Sequence, residues 1–461
     1  TMNQHFVRIT ALIVIVAAGA TSFASAADGW KAGTAETVIT PDEFLWMSGY
    51  GGRTAPADGK NDDLMCKAVV LEDPAGERVV LVTLDLVGID RATSSEVCRT
   101  LEAKFGLQRR QVALNTSHTH CGPVVGTNLK AMYSISPAQW KQVERYTAEL
   151  QRKIVRTVGQ AIAGIGPAQV SWGTGTATFA VNRRENAEAE VPKLRAAGTP
   201  LKGPIDHSVP VLAVRDPTGK LCAVVFGYAC HATTLGFQKW CADYPGYAYR
   251  ELQRANPGSI ALFWAGCGAD QNPIPRRTVE LAETYGKQLA AAVGEVLSSG
   301  AMRPIAGSLA SAYAEVDLEL AHLPDRAELE STLAKGNRYE QGRARLLLDQ
   351  LAQHGRLSPT YPYPVQTWRL GASGPRWVLL GGEVVVDYVL RLKQELGTDT
   401  TWVAGYTNDV PAYIPSRRVL AEGRYEGATS MVYYGLPSPW KPMLEEAIVG
   451  TVRDQAAQLA K

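Results

Sequence analysis

The sequence lacks several patterns that would assign a chain to a class directly. Its 461 residues contain no CxxC pair, no HExxH motif, no internal repeat and no run of the ~18 apolar residues that a membrane-spanning helix needs. Basic and acidic side chains nearly balance, 47 against 45, which argues against a nucleic-acid binder with a broad basic face. With 46% hydrophobic and 20% charged residues, the composition is that of a folded globular protein.

The N-terminal residues have the features of a secretory signal. Arg8 precedes an apolar stretch, Ile9–Ala20, and small residues follow at Ala24–Ala26. This order predicts a signal peptide over 1–26 and a secreted or periplasmic protein. An uncleaved membrane anchor is the alternative, but the apolar stretch is shorter than the ~20 residues of a spanning helix.

Cysteine is scarce and irregularly spaced. The seven cysteines make an odd number, so at least one cannot pair within the chain, and their spacing does not describe a disulfide scaffold. Which of them pair stays open from the sequence alone.

Short apolar runs alternate with helical patterns along the chain, which predicts an α/β fold. We expect one large catalytic domain over 27–461, with mixed β-sheets flanked by helices and the site at the carboxyl ends of strands. Candidate strands are Cys66–Leu71, Val79–Leu86, Gln111–Asn115, Val209–Val214, Ala223–Ala229, Ile260–Trp264, Trp377–Leu380 and Trp402–Ala404. Candidate helices are Ser94–Phe105, Pro137–Ala163, Tyr247–Ala255, Val279–Ser298, Arg326–Ala334, Arg343–His354, Val384–Leu396 and Pro442–Leu459.

Two histidines follow the candidate strand Gln111–Asn115. His118 and His120 come directly after the apolar run Val112–Leu114. In an extended segment alternate residues share a face, so both rings can reach one cleft, where imidazole serves as a metal ligand or as an acid and base. A polar loop with hydrogen-bonded histidines is the alternative.

Two further strand ends carry residues of the same chemical kind. His231 follows the run Ala223–Ala229, and Asp270 follows Ile260–Trp264 across several small residues. Asp270 is a candidate for orienting a ligand histidine. A structural histidine, and a turn before Pro273, are the alternatives.

Glu383 follows two glycines and is expected to open a helix. There its carboxylate either favours the helix N-terminus or completes a metal site with two histidines. The residue types alone therefore indicate a metal hydrolase with histidine and glutamate ligands as one candidate function.

The segment HTHCGP at 118–123 resembles the HTHSGP motif of the neutral/alkaline non-lysosomal ceramidase family. The resemblance extends over about residues 30 to 436, because further blocks follow in the family's order. These blocks are Asn182-Arg183, Asp206, Tyr228–Thr233, Cys267–Asp270, Gly382-Glu383, Asn408–Tyr413 and Arg424–Glu426.

The resemblance implies a zinc ion and a set of residues around it. Its zinc ligands fall on His118, His231, Glu383 and Tyr413. It also places His120, Arg183 and Tyr425 around the scissile amide and the attacking water, with Asp270 in support.

This sequence departs from the family pattern in three places. Asn272 stands where the family has a serine, sometimes assigned as a nucleophile, and Cys121 replaces the serine of HTHSGP. The chain ends soon after Tyr425, so we expect no C-terminal immunoglobulin-like domain. With the zinc ligands kept and the serine lost, the pattern favours attack by a metal-activated water.

We therefore expect an exported Zn²⁺-dependent amidohydrolase that acts on an N-acyl, ceramide-like sphingolipid amide. The alternatives are a zinc hydrolase of another amide or ester, and a non-catalytic metal-containing binding protein. We expect at most peripheral membrane contact and no nucleic-acid partner. Arg417 and Arg418, with Tyr413, are candidates for the mouth of the site, so we expect soluble or anionic N-acyl compounds to be better substrates than long-chain ceramide.

Overall fold

The computed structural model describes residues 29–460, so the expected signal peptide lies outside the described residues. Within that range, no helix combines the length and the apolar character needed to cross a membrane. The α-helices are α1 (Arg91–Phe105), α2 (Pro137–Ala163), α3 (Val191–Ala196), α4 (Asp243–Ala255), α5 (Val279–Ser298), α6 (Arg326–Lys335), α7 (Arg338–His354), α8 (Asp387–Leu396), α9 (Arg417–Glu422), α10 (Met431–Tyr434) and α11 (Leu444–Leu459).

Strands and helices alternate along the chain, and the expected mixed α/β fold is confirmed. The strands are β1 (Lys31–Val38), β2 (Gly59–Lys60), β3 (Met65–Glu72), β4 (Arg78–Leu84), β5 (Val112–Thr116), β6 (Gly166–Pro167), β7 (Gln169–Thr176), β8 (Ala180–Asn182), β9 (Ser208–Arg215), β10 (Leu221–Tyr228), β11 (Lys239–Trp240), β12 (Ile260–Ala265), β13 (Gln271–Pro273), β14 (Arg303–Pro304), β15 (Ala310–Glu319), β16 (Thr360–Arg369), β17 (Arg376–Leu380), β18 (Glu383–Val384), β19 (Thr401–Ala404) and β20 (Tyr413–Ile414).

Three main sheets organise these strands. Their strand orders are β5-β4-β3-β1-β6, β12-β10-β9-β7-β14 and β15-β16-β17-β19. Each sheet is mixed and contains one parallel pair: β4 with β5, β10 with β12, and β17 with β19. Parallel neighbours end at the same edge of a sheet, so each pair brings two loops to one place.

A tryptophan-rich core joins the three sheets. Trp172, Trp264, Trp377 and Trp402 are each almost fully buried, and they come from the second and third sheets. Their rings meet edge-on or tilted, with centroids 5.2 Å apart for Trp264–Trp377 and 5.4 Å for Trp377–Trp402. Apolar side chains of β3 and β4 pack into the same cluster. Because indole rings bury large areas, this shared core fixes the sheets relative to one another.

Helices cover the outer faces of the sheets. Helix α2 packs against β1 and β3, α5 against β7 and β9, and α11 against β15 and β16. Helix α2 begins at Pro137, and the Ser136 side chain accepts a hydrogen bond from the backbone N–H of Gln139, as the sequence order of the two residues favours.

Two expectations about elements need correction. Glu383 does not open a helix: Glu383 and Val384 form β18, and α8 begins only at Asp387. The long antiparallel pair of β15 and β16, which α6 and α7 connect, was not among the candidate strands, because alternating exposed residues in β15 and two prolines in β16 interrupt the apolar pattern. All seven cysteines lie within the described range, and none of them forms a disulfide.

Candidate metal centre and active site

The carboxyl ends of strands from all three sheets meet at Asn115, the penultimate residue of β5. Its side chain is fully buried and accepts a 2.9 Å hydrogen bond from the backbone N–H of Ala265 at the end of β12. Its Nδ2 donates to the Gly405 carbonyl (2.8 Å) and the Thr407 hydroxyl (3.0 Å), just past β19. One amide side chain thus links three loops, each of which leads to a residue of the site.

His118 follows β5 in a left-handed backbone conformation, with φ of 60°. This turn, rather than an extended segment, directs its ring inward. Nδ1 donates to the carbonyl of Val87 at 2.6 Å, so Nε2 carries the lone pair. That Nε2 lies 3.2 Å from Oε2 of Glu383.

His231 follows β10 and is held in a similar way. Its Nδ1 donates to the Gly268 carbonyl at 2.7 Å, and its Nε2 lies 3.1 Å from Oε2 of Glu383. The carbonyl of Gly268 therefore orients this ring, and the expected orienting role of Asp270 is not seen. The Asp270 carboxylate instead accepts from the Val386 backbone N–H at 2.9 Å and from the Asn182 amide at 3.3 Å.

Glu383 and Tyr413 are brought side by side by a short parallel strand pair. Strands β18 and β20 are in register with Glu383 opposite Tyr413. The Tyr413 hydroxyl lies 3.5 Å from Nε2 of His231. The other carboxylate oxygen of Glu383, Oε1, accepts a hydrogen bond from the hydroxyl of Tyr434.

These donors fit a metal ion. Burial lowers the pKa of His231 to about 4, with Arg183 adding to the effect, and His118 and His231 hold the pKa of Glu383 well below its usual range despite its burial. Two ring nitrogens and one carboxylate oxygen converge in this way, an arrangement that a cation between them would stabilise. Their 3.1 and 3.2 Å separations are close to the roughly 3.3 Å expected between tetrahedral zinc ligands.

His120 completes a buried group of three histidines. The ring nitrogens of His118, His120 and His231 lie within 4.8 Å of one another. Nε2 of His120 is 3.1 Å from Nε2 of His118, while its Nδ1 is buried without a partner in the described structure. Gly49, at φ of 103°, leaves room for the ring, because a Cβ there would lie 2.4 Å from its Cγ.

Arg183 joins the remaining predicted residues. It follows β8, and its guanidinium donates to Glu426 (2.8 Å), to the Tyr413 hydroxyl (3.0 Å) and to the Asn272 side-chain oxygen (3.3 Å). Tyr425 stacks edge-on against Tyr413, with ring centroids 5.3 Å apart. Asn272 is therefore inside the site, although it cannot act as a serine would.

A cleft of about 490 Å³ opens above these residues. His120, Arg183, Asn272, Tyr413 and Tyr425 all line it. The expected mouth residues Arg417 and Arg418 do not: Arg418 forms ion pairs with Asp387 and Glu422 instead. The arginines that line the cleft besides Arg183 are Arg184, Arg276 and Arg424.

The comparison with protein families decides the family. The family model described as neutral/alkaline non-lysosomal ceramidase, N-terminal, matches residues 31–259, a stretch that includes His118, His120, Arg183 and His231. Residues 31–259 belong to the neutral/alkaline non-lysosomal ceramidase family. The resemblance seen in the sequence motifs is thereby confirmed.

Curated ceramidases match over short stretches. Neutral ceramidase 2 of Arabidopsis thaliana is 33% identical over 88 residues, which cover 19% of this chain and 12% of that protein. Neutral ceramidase of Drosophila pseudoobscura pseudoobscura is 30% identical over 131 residues, covering 28% of this chain and 18% of that protein. The matched stretches thus span less than a fifth of these ceramidases.

Solved ceramidase structures extend the likeness to most of the fold. The crystal structure of neutral ceramidase from Pseudomonas aeruginosa superposes with a TM-score of 0.71 at 22% identity, covering 94% of this chain and 74% of that one. A ceramidase complexed with C2 gives the same TM-score at 20% identity, with 94% and 75% covered. At these identities the likeness concerns the fold.

Sequence reasoning missed several residues of this candidate site. Asn115 was named only as the last residue of a candidate strand, and Tyr434 was not singled out. Tyr406, buried with φ of 52°, has its ring centroid 4.4 Å from that of His118 and was also missed. Their roles depend on contacts between distant segments. The only local signal is the polar residue inside a buried strand, Asn115, which must find partners.

Proposed function

We propose that this protein is a zinc-dependent amidohydrolase that cleaves the amide bond of an N-acyl, ceramide-like substrate. One observation carries the proposal: Nε2 of His118 and Nε2 of His231 lie 3.2 and 3.1 Å from the same oxygen of Glu383, and their neighbours His120 and Tyr413 line an open cleft. Membership of residues 31–259 in the ceramidase family supports the amide as the bond attacked.

We assign four residues to the metal. His118, His231 and Glu383 supply the converging donors, and Tyr413 lies beside them with its hydroxyl 3.5 Å from His231. When bound there, zinc would act as a Lewis acid that lowers the pKa of a water and polarises the substrate carbonyl. The backbone carbonyls of Val87 and Gly268 keep both rings in the tautomer this requires.

His120 is the residue we assign to proton transfer. It lines the cleft, its Nε2 lies at the edge of the donor group, and its Nδ1 is not engaged by any described residue. A proton taken from the attacking water can therefore be held on this ring and passed to the departing amine. Its backbone carbonyl accepts from Arg53 at 2.6 Å, which fixes the loop that carries it.

Arg183 and Tyr425 are assigned to the substrate. Hydrogen bonds to Glu426 (2.8 Å) and Tyr413 (3.0 Å) hold the Arg183 guanidinium in one orientation. Its positive charge is therefore already placed at the cleft before a substrate binds. Fixed donors of this kind stabilise the negative charge that develops on the amide oxygen. Asp270 acts indirectly, because its carbonyl accepts from the Arg183 backbone N–H at 2.8 Å.

Asn272 favours direct attack by water. A neutral amide side chain cannot be activated as a nucleophile, and its oxygen already accepts from Arg183 at 3.3 Å. No acyl-enzyme is then formed, and mass spectrometry during turnover should find no covalent adduct on any side chain.

Export and a single-domain organisation belong to the same proposal. The apolar stretch Ile9–Ala20 supports secretion after cleavage of residues 1–26. The core shared by the three sheets supports treating 27–461 as one unit. Mass determination of the protein recovered from the exporting cells would test the cleavage site.

The test measures metal and hydrolysis together. Purified protein should hold about one zinc per chain and release fatty acid from N-acyl amides, and we expect short, soluble amides to be turned over faster than long-chain ceramide in vesicles. His118→Ala and His231→Ala should lose both metal and activity. His322→Ala, at an exposed histidine paired with Glu328, is the matched control and should keep both.

The outcomes separate the alternatives. Near-stoichiometric zinc in the His118→Ala, His231→Ala double variant would refute the ligand assignment. Zinc without hydrolysis of any amide or ester would point to the binding protein, and ester hydrolysis alone to the other hydrolase. A clear preference for long-chain ceramide in vesicles would overturn the expectation about soluble substrates.

A further inference from the structure

Arg276 and Arg424, which line the cleft, and Arg277, which follows Arg276 in the chain, are only partly neutralised; we call these three the rim arginines. Arg276 donates from Nε and Nη2 to one oxygen of Glu188, at 2.9 and 2.6 Å. Arg277 approaches the other oxygen of the same Glu188 at 3.7 Å, so two guanidiniums share one carboxylate. The carboxylate of Glu185 comes no closer than 4.0 Å to Arg424, whose side chain is 59% exposed.

Two of these arginines occupy backbone conformations that favour glycine. Arg277 has φ of 97° and Arg424 has φ of 60°. A side chain in this region strains the backbone, and such strain persists where the surrounding structure holds it, often at ligand sites. Arg424 is held by its Nη1, which donates to the Arg184 carbonyl at 2.9 Å. Strain and incomplete neutralisation are independent features of the same rim.

Arg183 and Arg184, deeper in the cleft, have carboxylate partners and are not free to bind a ligand anion. Arg184 is buried and paired with Glu422 and Glu426 at 2.6 and 2.5 Å. Arg183 is engaged by Glu426 and Tyr413. The positive charge that remains for a ligand is therefore on the rim, at Arg276, Arg277 and Arg424.

An aromatic row leaves the site beside this rim. From Tyr413 it continues through Tyr425 to Tyr433, with 6.1 Å between the last two ring centroids, and then to Tyr339 at 4.9 Å. Rings of this kind suit a hydrocarbon chain. The entrance therefore combines an apolar path with a cationic rim.

We propose that the substrate is an N-acyl amide that carries a carboxylate or sulfonate group, which the rim arginines Arg276, Arg277 and Arg424 bind. Guanidinium forms strong charge-assisted hydrogen bonds to such anions. This inference rests on the proposed function for the reaction itself, but the anion preference concerns binding and is measured separately.

Turnover is compared within matched pairs of substrates on the zinc-loaded protein. N-dodecanoylglycine is set against N-dodecanoylethanolamine, which places the anion on the amine part. The monoethylamide of dodecanedioic acid is set against dodecanoic ethylamide, which places it on the acyl part. In at least one pair we expect kcat/KM to favour the anionic member by about tenfold, the effect of about 1.4 kcal/mol, and the advantage to shrink with added salt.

The decisive variant is Arg424→Gly. Glycine relieves the strained backbone, so the variant should be at least as stable as the parent while losing most of the anion preference. Arg277→Gly should behave in the same way. The control is Arg453→Ala, which removes an exposed arginine of α11 that pairs with Glu395 of α8. It should change neither the stability nor the anion preference.

Binding distinguishes this inference from the proposed function. Calorimetry uses hydrolysis-resistant ketones in which a methylene replaces the amide nitrogen of N-dodecanoylglycine and of its neutral partner. Tighter binding of the anionic ketone without amide turnover would contradict only the proposed reaction. Equal binding of both ketones, or an anion preference that survives in Arg424→Gly and Arg277→Gly, would overturn the inference.

Discussion

Replacing Asn115 with alanine should destabilise the protein and weaken the metal site together. Asn115 is fully buried and is the only residue that joins the ends of β5 and β12 and the loop after β19 through side-chain hydrogen bonds within residues 29–460. The change leaves the Ala265 N–H without its partner, which costs about 1–3 kcal/mol, and it removes two further hydrogen bonds worth about 1 kcal/mol each. The Gly405 carbonyl keeps the Thr407 hydroxyl at 2.8 Å, which limits the loss.

We therefore expect Asn115→Ala to lower the free energy of unfolding by about 3–5 kcal/mol. Urea unfolding followed by tryptophan fluorescence measures this directly, since the tryptophan core lies next to these strand ends. Zinc affinity, measured by competition with a chelator, should fall as well, because the three loops lead to His118, to the Gly268 carbonyl that orients His231, and to Tyr413, which lies opposite Glu383.

Asn256→Ala provides the matched control. The Asn256 side chain donates to the Leu252 carbonyl at the end of α4, away from the site, and its loss should cost under about 1 kcal/mol with zinc affinity unchanged. A loss below about 1 kcal/mol in Asn115→Ala, or a large loss of stability with full zinc affinity, would refute the argument that this one side chain couples the sheets to the site.

Two further predictions concern neighbours of the site. Tyr434→Phe removes the hydroxyl that fixes Glu383 and should weaken zinc binding about 10–100-fold in chelator competition, whereas Tyr433→Phe should not; equal affinities would exclude this orienting role. Burial raises the pKa of Asp270 to about 7, so the folded state binds its proton more tightly than the unfolded state between about pH 4 and 7, and stability falls as pH rises through that window. Asp270→Asn should remove up to about 1.4 kcal/mol per pH unit of that slope in urea titrations, and an unchanged slope would contradict the shift.

Much of the site followed from residue chemistry at strand ends. His118 and His231 each come directly after an apolar strand, and the parallel pairs β4–β5 and β10–β12 bring such ends to one edge of a sheet. A short continuous apolar run indicates a buried strand from local sequence, which is why these two positions could be predicted. Tyr413 and Tyr425 carried no such signal, and only the family motifs singled them out.

The long-range pairings could not be predicted. Glu383 was expected at a helix start, because glycines followed by apolar residues also fit a helix. Its actual partner is Tyr413, thirty positions further along the chain in the parallel pair β18–β20. A two-residue strand has no periodicity of its own, so only the folded chain reveals it. The same holds for Arg418, which forms ion pairs with Asp387 and Glu422 and does not line the cleft.

Backbone carbonyls orient the two candidate ligand rings, so the sequence indicates these contacts only where the backbone needs a particular residue type. Val87 holds His118 through its carbonyl, an interaction that any side chain at that position would allow. Gly268 holds His231 in the same way, but a Cβ at Gly268 would lie 2.5 Å from the Cys230 backbone nitrogen. The contact at Val87 therefore places no constraint on the residue type, while the contact at Gly268 requires glycine. This requirement accounts for one of the small residues that follow Trp264 in the sequence.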